Sequence, residues 1–137
     1  MRYTWTAAIA VGYELIDEQH KKLFEAINAF LSASEQGEGK DELQKNLRFL
    51  SDYTIKHFSE EEAIQQKYKY PDYENHRKYH ETCKAVVREL SHELILKGPS
   101  ETLIKDVQVK VGDWLVEHIK VQDVKLGAYL KSVEDKK

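Results

Sequence analysis

Apolar positions recur at intervals of three and four along four long stretches of the chain. This is the periodicity of helices that each turn one face to a core. In the first stretch the stripe is Ile16, Leu23, Phe24, Ile27, Phe30 and Leu31. It predicts a helix with Asp17 as a plausible N-cap, stopping before the loop signal Gln36-Gly37-Glu38-Gly39. The second runs from about Asp41 to Lys67, with Leu43, Leu47, Leu50, Thr54, Ile64 and Tyr68 inward, and breaks at Tyr70-Pro71. The third begins near Asp72 and reaches about Leu96, with Tyr73, Cys83, Val87, Leu90 and Leu94 inward. Lys97-Gly98-Pro99-Ser100 ends it and supplies a cap for the next. The fourth starts near Glu101 and extends towards Tyr129, with Ile104, Val107, Val111, Trp114 and Leu115 on its stripe.

Residues 1–15 are the least periodic. Tyr3, Trp5, Ile9, Val11 and Tyr13 roughly alternate, which predicts an arm lying over a bundle with Trp5 as its anchor. Residues 132–137 are polar and predict a frayed tail. Four amphipathic segments joined by short breaks imply an all-α fold, an up-down-up-down antiparallel four-helix bundle with an N-terminal arm. The expected organisation is one domain over residues 1–137, with the bundle at 16–131.

Composition supports helices over strands. The chain has 6 Gly and 2 Pro, too few breakers for many short turns. Its net charge of −3 is mild and its charges are interspersed, which argues against a nucleic-acid partner and against a basic membrane-binding face. No stretch approaches the roughly 20 apolar residues of a membrane span. The single cysteine, Cys83, permits no internal disulfide and reads as a buried core thiol, which fits a cytoplasmic protein.

Polar residues fill the gaps in the four stripes. His20 lies on the first, His57 and Glu61 on the second, His76 and His80 on the third, and His118 on the fourth. Residues four apart share a helical face, about 6 Å apart along the axis. Glu60 and Glu62 fall outside the phase and are expected to face water, as is His92. Tyr73 is an ordinary packed side chain or a hydrogen-bonding neighbour of the site. Asp123 lies five residues beyond His118, about 140° round an ideal helix. To join the others, it needs either a distorted helix or a sideways reach.

Five buried imidazoles without a common partner make a costly core, and so does a buried Glu61. Convergence on metal removes both costs. Five His and two carboxylates exceed the four ligands of one tetrahedral zinc. They suit two octahedral ions that share both carboxylates and a small oxygen bridge, with one coordination position left open. Such a centre points to redox chemistry or small-molecule binding.

The arrangement His20, His57-Phe58-x-x-Glu61, His76-x-x-x-His80 and His118-x-x-x-x-Asp123 resembles the hemerythrin family, its bacterial single-domain bacteriohemerythrins in particular. The resemblance covers nearly the whole chain, including the Trp-containing arm. It implies a non-haem diiron centre with two iron ions (Fe2+/Fe3+) and an oxo or hydroxo bridge. His76, His80 and His118 would hold one iron, His20 and His57 the other, and Glu61 and Asp123 would bridge them. The implied function is reversible dioxygen binding, for transport, storage or delivery to oxidases, rather than enzymatic turnover. Leu23, Phe24, Phe58, Trp114, Leu115 and Ile119 are candidate liners of an apolar pocket, with plain core packing as the alternative. The competing functions are an oxygen or redox sensor acting through a separate signalling partner, and peroxide or nitric-oxide chemistry at the same site. Iron delivery for cluster repair fits a single cysteine poorly. A two-metal hydrolase would want more carboxylates and a polar cleft. A bundle of this size is compatible with a monomer.

Overall fold

The computed structural model describes residues 3–134, and the last three residues of the expected polar tail lie outside that range. Helix α1 spans Glu14–Glu35, α2 Lys40–Lys67 and α3 Tyr73–Lys97. The fourth rod, α4, covers residues 101–134 and alternates in pitch. It is α-helical over Glu101–Asp106, π-helical over Val107–Asp113, α-helical over Trp114–His118, π-helical over Ile119–Asp123 and α-helical over Val124–Glu134. Connections of a few residues force successive helices antiparallel. α1 packs on α2, α2 on α3, α3 on α4, and α4 closes the ring against α1. There is no strand among the described residues.

Local sequence explains most of the boundaries. The α2–α3 connection turns at Lys69, whose φ of 56° is left-handed. α3 ends at Gly98, whose φ of 76° few other residues adopt. Ser100 caps α4 by accepting from the Leu103 backbone N–H at 3.0 Å. α1 starts earlier than expected. Asp17 is not its N-cap but sits inside the first turn, where its carboxylate accepts from the backbone N–H groups of Val11 (2.7 Å) and Gly12 (3.1 Å). An acid there complements the helix dipole while tying down the incoming arm. The helical part of α4 also runs into the expected tail, through Ser132 and Val133 to Glu134.

The arm lies on the bundle, with a short 3₁₀ turn over Ala7–Ile9. Tyr3, not Trp5, is its deepest anchor: Tyr3 is buried and Trp5 half-buried. The Tyr3 backbone N–H donates to the Asn28 side-chain carbonyl at 2.9 Å, and the Asn28 amide donates back to the Tyr3 carbonyl at 2.8 Å. The Tyr3 hydroxyl crosses to α4. There it lies 2.8 Å from the Gln108 carbonyl and 2.7 Å from the Asp113 carboxylate, sharing one proton between two acceptors. The ring rests against Gly112, where any Cβ would come within 2.4 Å of it. Trp5 also packs against the larger apolar cluster, with the Lys21 ammonium 4.5 Å above its ring.

Apolar burial falls into two clusters. The larger contains Leu23, Phe30, Leu47, Leu50, Val87, Leu94, Leu103 and Val107. The smaller, at the other end, contains Val11, Ile16, Tyr70, Leu126 and Leu130. Between them lies a layer of buried polar side chains: Gln19, His20, His57, Glu61, Gln65, His76, His80, His118 and Asp123. Cys83 belongs to the larger cluster, and burial pushes its thiol up to about 12, as for an inert core residue. No helix is long and apolar enough to cross a membrane among the described residues.

The arm is locked at its second end where Val11 meets Gly127. A Cβ on Gly127 would stand 2.1 Å from the Val11 carbonyl oxygen. Gly127→Ala is therefore expected to lift the arm and cost about 1–3 kcal/mol, lowering Tm by roughly 3–10 °C in a thermal melt.

Candidate metal centre

The polar layer draws on all four helices. α1 supplies His20, α2 supplies His57 and Glu61 one turn apart, α3 supplies His76 and His80 one turn apart, and α4 supplies His118 and Asp123. All seven side chains are buried, and six of them have no exposed surface at all. His92, the sixth histidine, is exposed. The structure brings together every side chain expected to converge.

Asp123 joins the cluster because the helix distorts. The π segment Ile119–Asp123 follows directly on His118. Its wider turn makes residues five apart neighbours, as four apart are in an α-helix. The Asp123 Oδ1 consequently lies 3.2 Å from His118 Nε2.

Two overlapping groups result. Glu61, His76, His80, His118 and Asp123 form one; His20, His57, Glu61 and Asp123 form the other. Within each, one ligand atom per residue lies within 4.8 Å of every other. Glu61 Oε1 is 3.0 Å from the Nε2 atoms of both His76 and His80, and Glu61 Oε2 is 3.6 Å from His57 Nε2. Asp123 Oδ1 is 2.9 Å from His76 Nε2, and Asp123 Oδ2 is 2.9 Å from His20 Nε2. Each carboxylate thus turns one oxygen to each half of the site.

These short approaches are not a satisfied network. Both oxygens of Glu61 and of Asp123, and the Nε2 atoms of His20, His57 and His80, are buried without a well-formed hydrogen bond. His76 Nε2 and His118 Nε2 point at each other across 3.1 Å. Lone pairs aimed at common points, rather than at protons, are what a bound cation requires. Imidazole nitrogen with carboxylate oxygen suits a first-row transition metal.

Electrostatics say the same. Burial and the Asp123 charge act to raise the Glu61 carboxyl, but the imidazoles of His76 and His80, each 3.0 Å from it, outweigh them and hold it at about 2. Burial likewise opposes ionisation of Asp123, yet the charge of His118 and the close approach of the His118, His20 and His76 imidazoles hold it well below its ordinary value. Burial would lower His76, but the adjacent Asp123 and Glu61 carboxylates lift it to about 9, and His80 is raised in the same way, chiefly by Glu61 and Glu62 against burial. Burial brings His57 down to about 4, leaving a neutral ring. Two buried carboxylates therefore stay ionised and hold positive charge beside them. A metal cation would supply that charge in place of imidazole protons.

Aromatic rings cover the imidazoles. Phe58 stacks on His80 with centroids 3.9 Å apart, and Trp114 stacks on His118 at 4.6 Å. Leu23, Phe24, Leu115 and Ile119 are buried in the same core, and Trp114 is half-buried. Tyr73 is not part of the site; its hydroxyl accepts from the Gln66 amide on the surface at 3.1 Å.

The expectation that Glu60 and Glu62 face water is overturned. Glu62 is half-buried and accepts from His80 Nδ1 at 2.8 Å. Glu60 accepts from the Gln19 amide, whose own carbonyl oxygen lies 2.7 Å from His57 Nδ1. Gln19 and the fully buried Gln65 are further polar members of the layer without a place in the expected set. A signal for Gln65 exists: it continues the four-residue spacing of His57 and Glu61.

Removing a carboxylate shared by both groups should empty more than one half. Glu61→Ala is expected to cut the metal bound per chain by more than half, measured by elemental analysis, while His92→Ala leaves it unchanged.

Residues 11–130 match the family model described as the hemerythrin HHE cation binding domain. The chain is 34% identical over 123 residues to a myohemerythrin of Sipunculus nudus, covering 90% of this chain and 89% of that protein. It is 33% identical over 130 residues to a bacteriohemerythrin of Methylococcus capsulatus, covering 94% and 97%. Its fold superposes on a crystal structure of wild-type hemerythrin with a TM-score of 0.85 at 32% identity, covering 93% of this chain and 97% of that one. A matched span that contains every convergent side chain, together with this likeness in fold, makes the chain a member of the hemerythrin family.

Proposed function

We propose that the protein binds dioxygen reversibly at a non-haem diiron centre. The observation that carries this reading is that Glu61 and Asp123 belong to both ligand groups, one oxygen to each half. Two ions held side by side would call for that sharing. His76, His80 and His118 would hold one iron and His20 and His57 the other, with an oxo or hydroxo bridge completing the pair. The smaller histidine set would leave its iron a position for an exogenous ligand. When bound, the iron pair supplies two ions that change between Fe2+ and Fe3+ as dioxygen is taken up and given back.

The chain's own residues bias this chemistry toward reversibility. Five imidazoles against two carboxylates bring little negative charge to the site, which disfavours the high-valent states that carboxylate-rich centres support. The apolar packing above the layer, with Phe58 and Ile119 fully buried, restricts water and protons. All seven side chains come from one chain, so a monomer is sufficient for the site. Storage, transport or delivery of oxygen to an oxidase follows as the role, and the single buried thiol fits a reducing cytoplasmic compartment.

The test is anaerobic loading with ferrous iron, quantification of iron, and visible spectra on admitting air and on removing it. Two irons per chain and an absorption band that appears and disappears reversibly are the expected result. Irreversible oxidation would redirect the function toward sensing or peroxide chemistry, and zinc in place of iron would remove the diiron reading.

A further inference from the structure

The two halves of the site differ in what holds their imidazoles from behind. A neutral imidazole has one ring proton. With Nε2 turned to the cluster, that proton stands on Nδ1. The Nδ1 atoms of His20, His76 and His118 have no partner. Those of His80 and His57 do, and these two rings fall in different groups. His80 Nδ1–H donates to the Glu62 carboxylate, whose side chain is only 16% exposed. His57 Nδ1–H donates to the carbonyl oxygen of Gln19, a neutral amide that is itself buried. The orientation of that amide is not arbitrary: its nitrogen donates to Glu60, so its oxygen must face His57.

A carboxylate behind an imidazole draws the Nδ1 proton toward itself and raises electron density at Nε2, making a stronger donor to a metal ion. An amide does this less. The stronger donor favours the higher charge on its ion. We propose that Glu62 and Gln19 are positioning residues that set the two halves at unequal reduction potentials, so that the ion on the His76, His80 and His118 side gives up its electron first. The inference rests on the diiron reading above. It adds an order to the two one-electron steps: an iron held by His80 would be easier to oxidise than one held by His57, with each electron passing through a soluble redox mediator to the electrode in the titration below.

Two variants test it with opposite signs. Glu62→Gln keeps the hydrogen-bonding shape and removes the charge behind His80. The exchange of Gln19→Glu with Glu60→Gln keeps both hydrogen bonds and the net charge, but moves the carboxylate to His57. Each is loaded anaerobically with ferrous iron, checked for iron per chain, titrated spectroelectrochemically, and examined by Mössbauer spectroscopy for the two iron environments. In Glu62→Gln the first midpoint is expected to move positive by the equivalent of about a tenfold change in ferric over ferrous preference, about 59 mV for one electron. The two steps then draw together. In the exchange variant the midpoint of the His57 half moves negative, and the Mössbauer signal that changes belongs to the other iron. Midpoints unchanged in both variants, or displaced with the same sign, overturn the inference. If Glu62→Gln fails to load, the exchange variant alone decides: a negative shift at the His57 half supports the inference, and no shift or a positive one overturns it. Fewer than two irons in the unmodified protein overturns the diiron reading itself, whatever the variants do.

Discussion

The structure depends on a mismatch between charge and solvent. Two carboxylates and five imidazoles occupy a dry layer across the bundle, and their inward-facing atoms do not form a satisfied hydrogen-bonding network. Transfer of an ionised carboxylate out of water costs several kcal/mol unless something positive meets it. The apolar clusters on either side do not relieve that cost; they enforce it by keeping water away. What they contribute is geometry. Four helices anchored above and below the layer leave its side chains little freedom to turn away, so a cation is the economical partner for the whole set.

The fourth helix shows how closely backbone pitch follows this demand. Its inward residues, Leu103, Val107, Val111, Leu115, Ile119 and Asp123, keep a strict spacing of four. A four-residue step overshoots one α-helical turn by about 40°, so five steps would carry the stripe roughly 200° round the rod and out of the core. The two π segments absorb the excess. The first also brings the Gln108 carbonyl to the Tyr3 hydroxyl, and the second brings Asp123 into the layer. Mid-helix irregularity here is part of what fits the rod both to its neighbours and to the site.

The architecture and the seven convergent side chains were legible in the sequence because both express the same periodicity. A His or Glu at a core phase stands out against leucine and valine, and Gly and Pro mark the ends. Features that depend on a neighbouring helix were not. Glu60 and Glu62 are out of phase on α2, and only the positions of α1 and α3 show that each reaches an imidazole or its amide support. Tyr3 and Trp5 look alike as anchors until Asn28, Gln108 and Gly112 are seen to receive one of them. The distortion at Asp123 lay between the two, since the strict four-residue spacing was present in the chain but carries meaning only against a straight helix. Asp17, similarly, signals a helix start correctly but caps the arm's backbone from within the first turn.

The closing of the ring by α4 has a consequence for biosynthesis. The arm's first anchor, Tyr3, finds its hydroxyl partners at Gln108 and Asp113, and the polar layer takes its last two members from His118 and Asp123. During synthesis from the N-terminus, neither the strap nor the layer is complete until the fourth helix has left the ribosome. A nascent chain displaying His20, His57, Glu61, His76 and His80 already carries five potential donors, but only one of the two carboxylates that join the halves. On the diiron reading, capture of a metal pair would therefore await the final helix, whose arrival both seals the hydrophobic ring and completes the polar cluster.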